Sequence, residues 1–133
     1  MSGAAPTLLI VDDEEGLRRI LQHFLTLDGF TVETAADGEQ ALALIHDTLP
    51  DLVITDLMMP TMDGRTLIAR LHDDPRTQRI PVLVMTAAHR TELSEPPVHA
   101  ILKPFALDDL LARIRVLLAG ATGTPQGTTG RRS

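Results

Sequence analysis

The chain has 133 residues, of which 44% are hydrophobic and 23% charged, the composition of one folded domain with its own core. Its net charge is −6 and its only aromatic residues besides histidine are three phenylalanines, which argues against a general nucleic-acid-binding surface. It has no cysteine, so disulfides, thiolate metal sites and thiol catalysis are excluded.

The start of the chain lacks the basic segment of a secretory leader, and its apolar run stops at Asp12 and Asp13. No window of the sequence reaches the roughly 18 apolar residues that a bilayer-spanning helix requires. From these two features we expect a cytoplasmic protein without a membrane partner.

Short apolar runs alternate with helical stripes along the chain. The runs predict five strands, at residues 7–11, 30–35, 51–55, 80–86 and 98–102. The stripes predict helices from Gly16 to near Asp28, after Asp37-Gly38, around Leu67 to Leu71, and from Leu107 to Leu118. This alternation predicts right-handed crossovers and an α/β fold with a doubly wound, five-stranded parallel sheet. We predict the flavodoxin-like strand order 2-1-3-4-5.

Two segments depart from this regular pattern. The connection between the fourth and fifth predicted strands holds Pro96-Pro97 and few apolar residues, so we expect its helix, the fourth, to be short or degenerate. Residues 120–133 are rich in glycine and threonine and have no apolar face. We therefore assign residues 1–119 to the domain and residues 120–133 to a flexible tail.

Polar residues stand at the ends of four predicted strands. Asp12 and Asp13 follow the first strand, Asp56 follows the third, Thr86 ends the fourth, and Lys103 follows the fifth. Each has an ordinary explanation by itself, such as a helix cap for the first two, a strand residue or a surface lysine. The carboxyl ends of parallel strands share one edge of the sheet, where doubly wound folds bind ligands. We therefore expect three carboxylates, a hydroxyl and an ammonium to lie together.

Such a group of carboxylates requires a proton or a cation. Two carboxylates about 4 Å apart repel by about 4 kcal/mol at an effective dielectric of about 20. Oxygen ligands of this kind favour Mg²⁺. A carboxylate beside Mg²⁺ can attack phosphorus and form an acyl phosphate, while Lys103 and Thr86 bind phosphoryl oxygens.

Five segments, in order, resemble the receiver domain of bacterial two-component response regulators: LLIVDDEEGLR, AADGEQAL, DLVITDLMMPTMDG, PVLVMTA and ILKPF. The resemblance implies that Asp56 accepts a phosphoryl group from a sensor histidine kinase or a histidine phosphotransfer protein. It also implies that Asp12, Asp13, Asp56 and the backbone carbonyl of Met58 hold Mg²⁺.

The resemblance also assigns the residues of a switch. Thr86 is expected to be the switch hydroxyl, Lys103 the cation that binds the phosphoryl group, and the Lys103-Pro104 bond to be cis. An aromatic residue is common in the family three positions before the lysine, where this chain has Ala100. We therefore expect switching to depend mainly on Thr86 and the loop after it.

The leading interpretation is a stand-alone phosphoacceptor switch that changes its binding to an unknown downstream protein. It is not an enzyme beyond its own phosphoryl transfer and slow self-dephosphorylation. The alternative is a degenerate receiver that binds partners without phosphorylation, whose signature would be a missing acid or lysine. A phosphohydrolase ranks last, since the second acid of such enzymes usually stands two residues after the nucleophile, where this chain has Met58. The sequence leaves open whether the chain forms a homodimer, and no nucleic-acid partner is expected.

Overall fold

The computed structural model describes residues 5–59, 62–87 and 99–122. All five predicted strands are present, with bounds within about two residues of those predicted. In chain order the elements are β1 (Thr7–Val11), α1 (Glu15–Leu27), β2 (Thr31–Ala35), α2 (Gly38–Asp47), β3 (Leu52–Asp56), α3 (Gly64–Asp73), β4 (Val82–Thr86), β5 (His99–Leu102) and α4 (Leu107–Thr122).

The five strands form one parallel sheet in the order β2-β1-β3-β4-β5, which confirms the predicted fold class and strand order. In the register, Val11 of β1 lies beside Thr55 of β3, and Asp56 lies beside Met85 of β4. Strand order reverses at β1 and β3, so the edge where these two strands end is the expected ligand edge. Asp12 directly follows β1 and Asp56 ends β3, which brings the two carboxylates to that edge.

Helices cover both faces of the sheet, because side chains of each central strand alternate between two cores. Leu9 and Val11 belong to the core under α2 and α3, whereas Leu8 and Ile10 belong to the core under α1 and α4. All four side chains are at most 1% exposed. Burying one such side chain contributes about 1.5–3 kcal/mol, so the sheet centre is a rigid base for the residues at its edge.

Two local features differ from what the sequence suggests, and a third prediction lies outside the described residues. The N-cap residue of α1 is Glu14, which makes no side-chain cap hydrogen bond, so neither Asp12 nor Asp13 caps this helix. Helix α4 runs to Thr122, three residues into the segment predicted as a tail, and residues 123–133 lie outside the described residues. The short or degenerate helix predicted between β4 and β5 falls on residues 88–98, which also lie outside the described residues. None of the described helices is long and apolar enough to cross a membrane.

Candidate functional site

The three predicted carboxylates meet at the carboxyl edge of the sheet. One oxygen from each of Asp12, Asp13 and Asp56 lies within 4.8 Å of the others. Asp12 is buried, Asp56 is partly buried and Asp13 is exposed. The cluster therefore runs from the interior to the surface, with Asp13 at its exposed end.

Asp12 is held in place at every polar group it has. Its Oδ1 accepts a hydrogen bond from the Glu14 N–H at 2.8 Å, and its Oδ2 lies 3.1 Å from Lys103 Nζ. Its backbone N–H donates to the Ala35 carbonyl at 3.1 Å, and its own carbonyl accepts from Arg18 Nη1 at 2.7 Å. A buried carboxylate without such partners would be strongly unfavourable. The position of Asp12 is thus fixed by the protein alone.

Asp13 differs from its neighbour in having no such support. Its carboxylate makes no hydrogen bond or ion pair with any residue in the described parts of the chain. Its direction therefore depends on the backbone of the β1–α1 connection. An exposed carboxylate with free lone pairs is also the type of group that an arriving cation can bind.

Asp56 has one engaged and one available carboxylate oxygen. Its Oδ1 accepts a hydrogen bond from the Leu57 N–H at 2.9 Å and lies 3.6 Å from Lys103 Nζ. Its Oδ2 accepts no hydrogen bond from the described residues. The side chain is 14% exposed, so it can be reached from solvent while most of it is enclosed. The available oxygen is the one suited to form a bond with a ligand atom.

The charges in the site shift two pKa values. Burial raises the pKa of Asp56 above its ordinary value of 3.8, the charge of Lys103 opposes this, and the charges of Asp12 and Asp13 raise it further. Burial lowers the pKa of Lys103, but its hydrogen bond to Asp12 and the charges of Asp12 and Asp56 outweigh burial and raise it. Lys103 is thus a permanent cation at neutral pH, and one ammonium does not balance three carboxylates.

The donor set fits Mg²⁺. Three carboxylates supply hard oxygen ligands, and ligands about 2.1 Å from one ion lie at most about 4.2 Å apart. The observed spread of 4.8 Å therefore needs only small side-chain adjustments. The Met58 carbonyl, the fourth predicted ligand, accepts no hydrogen bond from the described residues. No histidine of the described residues joins the cluster.

The predicted hydroxyl and ammonium lie at the ends of the two neighbouring strands. Thr86 ends β4 and is 2% exposed. Its carbonyl accepts a hydrogen bond from the Lys103 N–H at 2.8 Å, which ties the end of β4 to the residue after β5. The Lys103-Pro104 peptide bond is cis. The edge of the sheet thus carries acids on β1 and β3, a hydroxyl on β4 and an ammonium after β5.

Two residues near the site were not among the predicted ones. A Cβ added to Gly64 would lie 2.5 Å from the Asp56 carbonyl oxygen and 2.9 Å from Leu57 Cα, so only glycine allows this approach. The Gly64 N–H donates to the Leu57 carbonyl at 2.8 Å, which folds the β3–α3 connection back on Asp56. Arg18 is the other residue, and it contacts the site by donating a hydrogen bond to the Asp12 carbonyl. An Asp-Gly pair such as Asp63-Gly64 is typical of a turn, but no sequence pattern indicates the contact of Arg18.

Comparison with known proteins agrees with this geometry. The family model described as response regulator receiver domain matches residues 8–115. The chain is 36% identical over 126 residues to the DNA-binding dual master transcriptional regulator RpaA of Synechocystis, covering 91% of this chain and 52% of RpaA. The chain spans about half the length of the first curated relatives that it matches.

Solved structures with this fold cover the chain more evenly. The signal receiver domain of a signal transduction histidine kinase from Syntrophus aciditrophicus has a TM-score of 0.82 and 31% identity, covering 93% of this chain and 98% of that one. The chemotaxis response regulator CheY4 of Vibrio cholerae has a TM-score of 0.81 and 28% identity, covering 86% of this chain and 99% of that one. These structures are thus similar to the whole described sheet and its helices.

Proposed function

The chain belongs to the response regulator receiver domain family, a family of phosphoacceptor signalling domains, and we propose that Asp56 is its phosphoacceptor. One observation carries the proposal. An oxygen of Asp56 lies within 4.8 Å of oxygens of both Asp12 and Asp13, while Lys103 Nζ lies 3.6 Å from Asp56 Oδ1. The described residues contain one group of three or more potential metal ligands, and it is this one.

We propose that Asp12, Asp13, Asp56 and the Met58 carbonyl hold Mg²⁺. Bound there, Mg²⁺ would offset the negative charge of the carboxylates and of the incoming phosphoryl group. Lys103 would provide a point charge for a phosphoryl oxygen, because its ammonium already faces Asp56. Asp12 would stay in place throughout, since its own bonds to Glu14 and Lys103 hold it.

In the proposed transfer, the free oxygen of Asp56 attacks the phosphorus of a phosphohistidine on a sensor histidine kinase or a histidine phosphotransfer protein. The P–O bond to Asp56 forms as the P–N bond breaks, and the leaving imidazole takes up a proton. Thr86 would then donate its hydroxyl hydrogen to a phosphoryl oxygen. The change around Thr86 would alter the binding of a downstream protein. Slow hydrolysis of the acyl phosphate would reset the switch.

The alternative of a degenerate receiver lacks its signature, because the three acids, the hydroxyl and the lysine are all present. We also propose that this domain contacts proteins and not DNA. Its net charge of −6 opposes binding to phosphates, although the relative RpaA is named as DNA-binding. The proposal further includes the assignment of residues 1–119 to the domain and its cytoplasmic location.

Intact-mass spectrometry after incubation with acetyl phosphate tests the proposal. We expect the wild-type chain to gain one phosphoryl group with Mg²⁺ and far less after chelation. Asp56→Asn should gain none. Asp47→Asn is the matched control, since Asp47 is an exposed acid at the end of α2 and its loss removes the same charge. Mg²⁺-dependent labelling of Asp56→Asn at another residue would overturn the assignment.

A further inference from the structure

Arg18 connects helix α1 to the strand end that carries the metal acids. It lies in the first turns of α1 and is half-buried, and its Nη1 donates to the Asp12 carbonyl at 2.7 Å. The bond spans six residues and closes the β1–α1 connection from within. A hydrogen bond from a charged guanidinium is about twice as strong as a bond between neutral groups.

We propose that Arg18 is a positioning residue for the carboxylate of Asp13. The carbonyl of Asp12 belongs to the same planar peptide unit as the nitrogen of Asp13. Holding the oxygen of that unit therefore fixes the plane from which the Asp13 Cα and side chain depart. Asp13 depends on this support, since its carboxylate has no hydrogen bond or ion pair with the described residues.

The other two carboxylates do not depend on Arg18 in this way. Asp12 is held through both side-chain oxygens, and Asp56 is held at Oδ1 by the Leu57 N–H. Loss of Arg18 should therefore act mainly on Asp13, and through it on the affinity for Mg²⁺. The inference rests on the proposed function, since it assumes that this cluster binds Mg²⁺.

Arg19 allows the positioning effect of Arg18 to be separated from the electrostatic effect of its charge. It is the next residue on α1 and carries the same charge, but it is exposed and makes no hydrogen bond or ion pair with the described residues. A general electrostatic effect of a cation on α1 would be shared by Arg18 and Arg19, whereas a positioning effect belongs to Arg18 alone. Arg18→Lys keeps the charge and removes the planar guanidinium.

Isothermal titration calorimetry with Mg²⁺ on the full chain tests the inference in wild type, Arg18→Met, Arg18→Lys and Arg19→Met. Loss of a residue that supports a metal ligand typically weakens metal binding about 10–100-fold, and we expect this for Arg18→Met. The Kd of Arg18→Lys for Mg²⁺ should lie between those of Arg18→Met and wild type. The Kd of Arg19→Met for Mg²⁺ should stay within about twofold of the wild-type value, because an exposed charge is screened by salt.

A second readout needs no metal. In the Mg²⁺-free protein, the amides of Asp13 and Glu14 should exchange faster in Arg18→Met than in Arg19→Met, since the carbonyl that anchors their connection is released. A purely structural role would lower the melting temperature of Arg18→Met and leave its Kd for Mg²⁺ at the Arg19→Met value. Should Arg18→Met not fold, the Kd of Arg18→Lys decides in its place.

The possible failures are distinguishable. A wild-type chain that binds Mg²⁺, with equal Kd values for Arg18→Met and Arg19→Met, would overturn the role of Arg18 and leave the proposed function intact. A wild-type chain that binds no Mg²⁺ and takes no phosphoryl group on Asp56 would overturn both.

Discussion

The ammonium of Lys103 lies 3.1 Å from Oδ2 of Asp12, whose side chain is only 1% exposed. The two residues are 91 positions apart in the sequence, so this contact links the end of the first strand to the residue after the last. The lysine thereby serves the fold before any phosphoryl group arrives. It supplies the charge without which the Asp12 carboxylate would be buried with a single hydrogen-bond donor.

Removing Lys103 should therefore destabilise the metal-free protein. Breaking a fully buried ion pair on one side costs about 3–5 kcal/mol. Because the Lys103 side chain is 24% exposed, we expect Lys103→Met to lower the free energy of unfolding, measured in urea, by about 2–3 kcal/mol. Adding Asp12→Asn to Lys103→Met should recover most of this loss, since the unpaired charge is removed as well.

The Asp28–Arg115 ion pair is the control for this double-mutant cycle. Its arginine is 61% exposed, so its coupling free energy should be at most about 1 kcal/mol. A coupling between Lys103 and Asp12 no larger than that between Asp28 and Arg115 would contradict the structural role given to Lys103.

Asp56→Asn should stabilise the metal-free protein at neutral pH. Since burial, followed by the charges of Asp12 and Asp13, raises the pKa of Asp56 in spite of Lys103, the folded state binds this proton more tightly than the unfolded state. The resulting instability is fully present above the raised pKa and disappears as pH falls below about 3.8, where Asp56 is protonated in both states. Urea midpoints of both proteins across this range, without Mg²⁺, measure the difference. A variant that is less stable than wild type at pH 7 would refute the prediction.

Mg²⁺ should raise the melting temperature of the wild-type chain. Binding to the folded state alone contributes RT ln(1 + [L]/Kd), about 2.7 kcal/mol when free Mg²⁺ is at a hundred times its Kd. Differential scanning calorimetry of Asp13→Ala should show a much smaller rise, because that variant lacks the exposed carboxylate of the cluster. An equal rise in both proteins would place the stabilising ion elsewhere.

Gly64→Ala should disturb the backbone of Asp56, the proposed phosphoacceptor. The added Cβ would lie 2.5 Å from the Asp56 carbonyl oxygen, which is backbone and cannot move aside without shifting β3. Overpacking of this kind costs about 1–3 kcal/mol, and we expect that loss in urea unfolding together with slower labelling of Asp56 by acetyl phosphate.

Gly16→Ala is the matched control, since Gly16 lies in α1 and a Cβ there meets nothing within 4 Å. Alanine is the better helix former, so this variant should be as stable as wild type or up to about 1 kcal/mol more stable. If Gly64→Ala were as stable as Gly16→Ala, the close approach of Gly64 to the Asp56 carbonyl would not be needed.

The helices, the strands and the identity of the acids that meet could all be inferred from the order of the residues. Apolar runs and stripes reveal which way side chains point along one strand or helix, and that direction depends only on local backbone geometry. Alternation of the elements then implies a parallel sheet, and a parallel sheet places all strand ends on one edge. For this reason Asp12, Asp13 and Asp56 could be grouped from their positions alone. The expected role of Met58, and that of Thr86 as the switch hydroxyl, came from the family resemblance.

The hydrogen bonds and ion pairs within the site could not be inferred in this way, because they depend on how the elements pack. Asp12 and Asp13 look equivalent in the sequence, yet the first is buried with every polar group bonded, and the second is exposed with no hydrogen bond or ion pair from its carboxylate to the described residues. Neither acid caps α1: Asp12 Oδ1 accepts its hydrogen bond from the Glu14 N–H, and Glu14 is the N-cap residue. Hydrogen bonds depend on distances of a few tenths of an ångström between groups brought together by the packing of several elements, and no local pattern of residues encodes those distances.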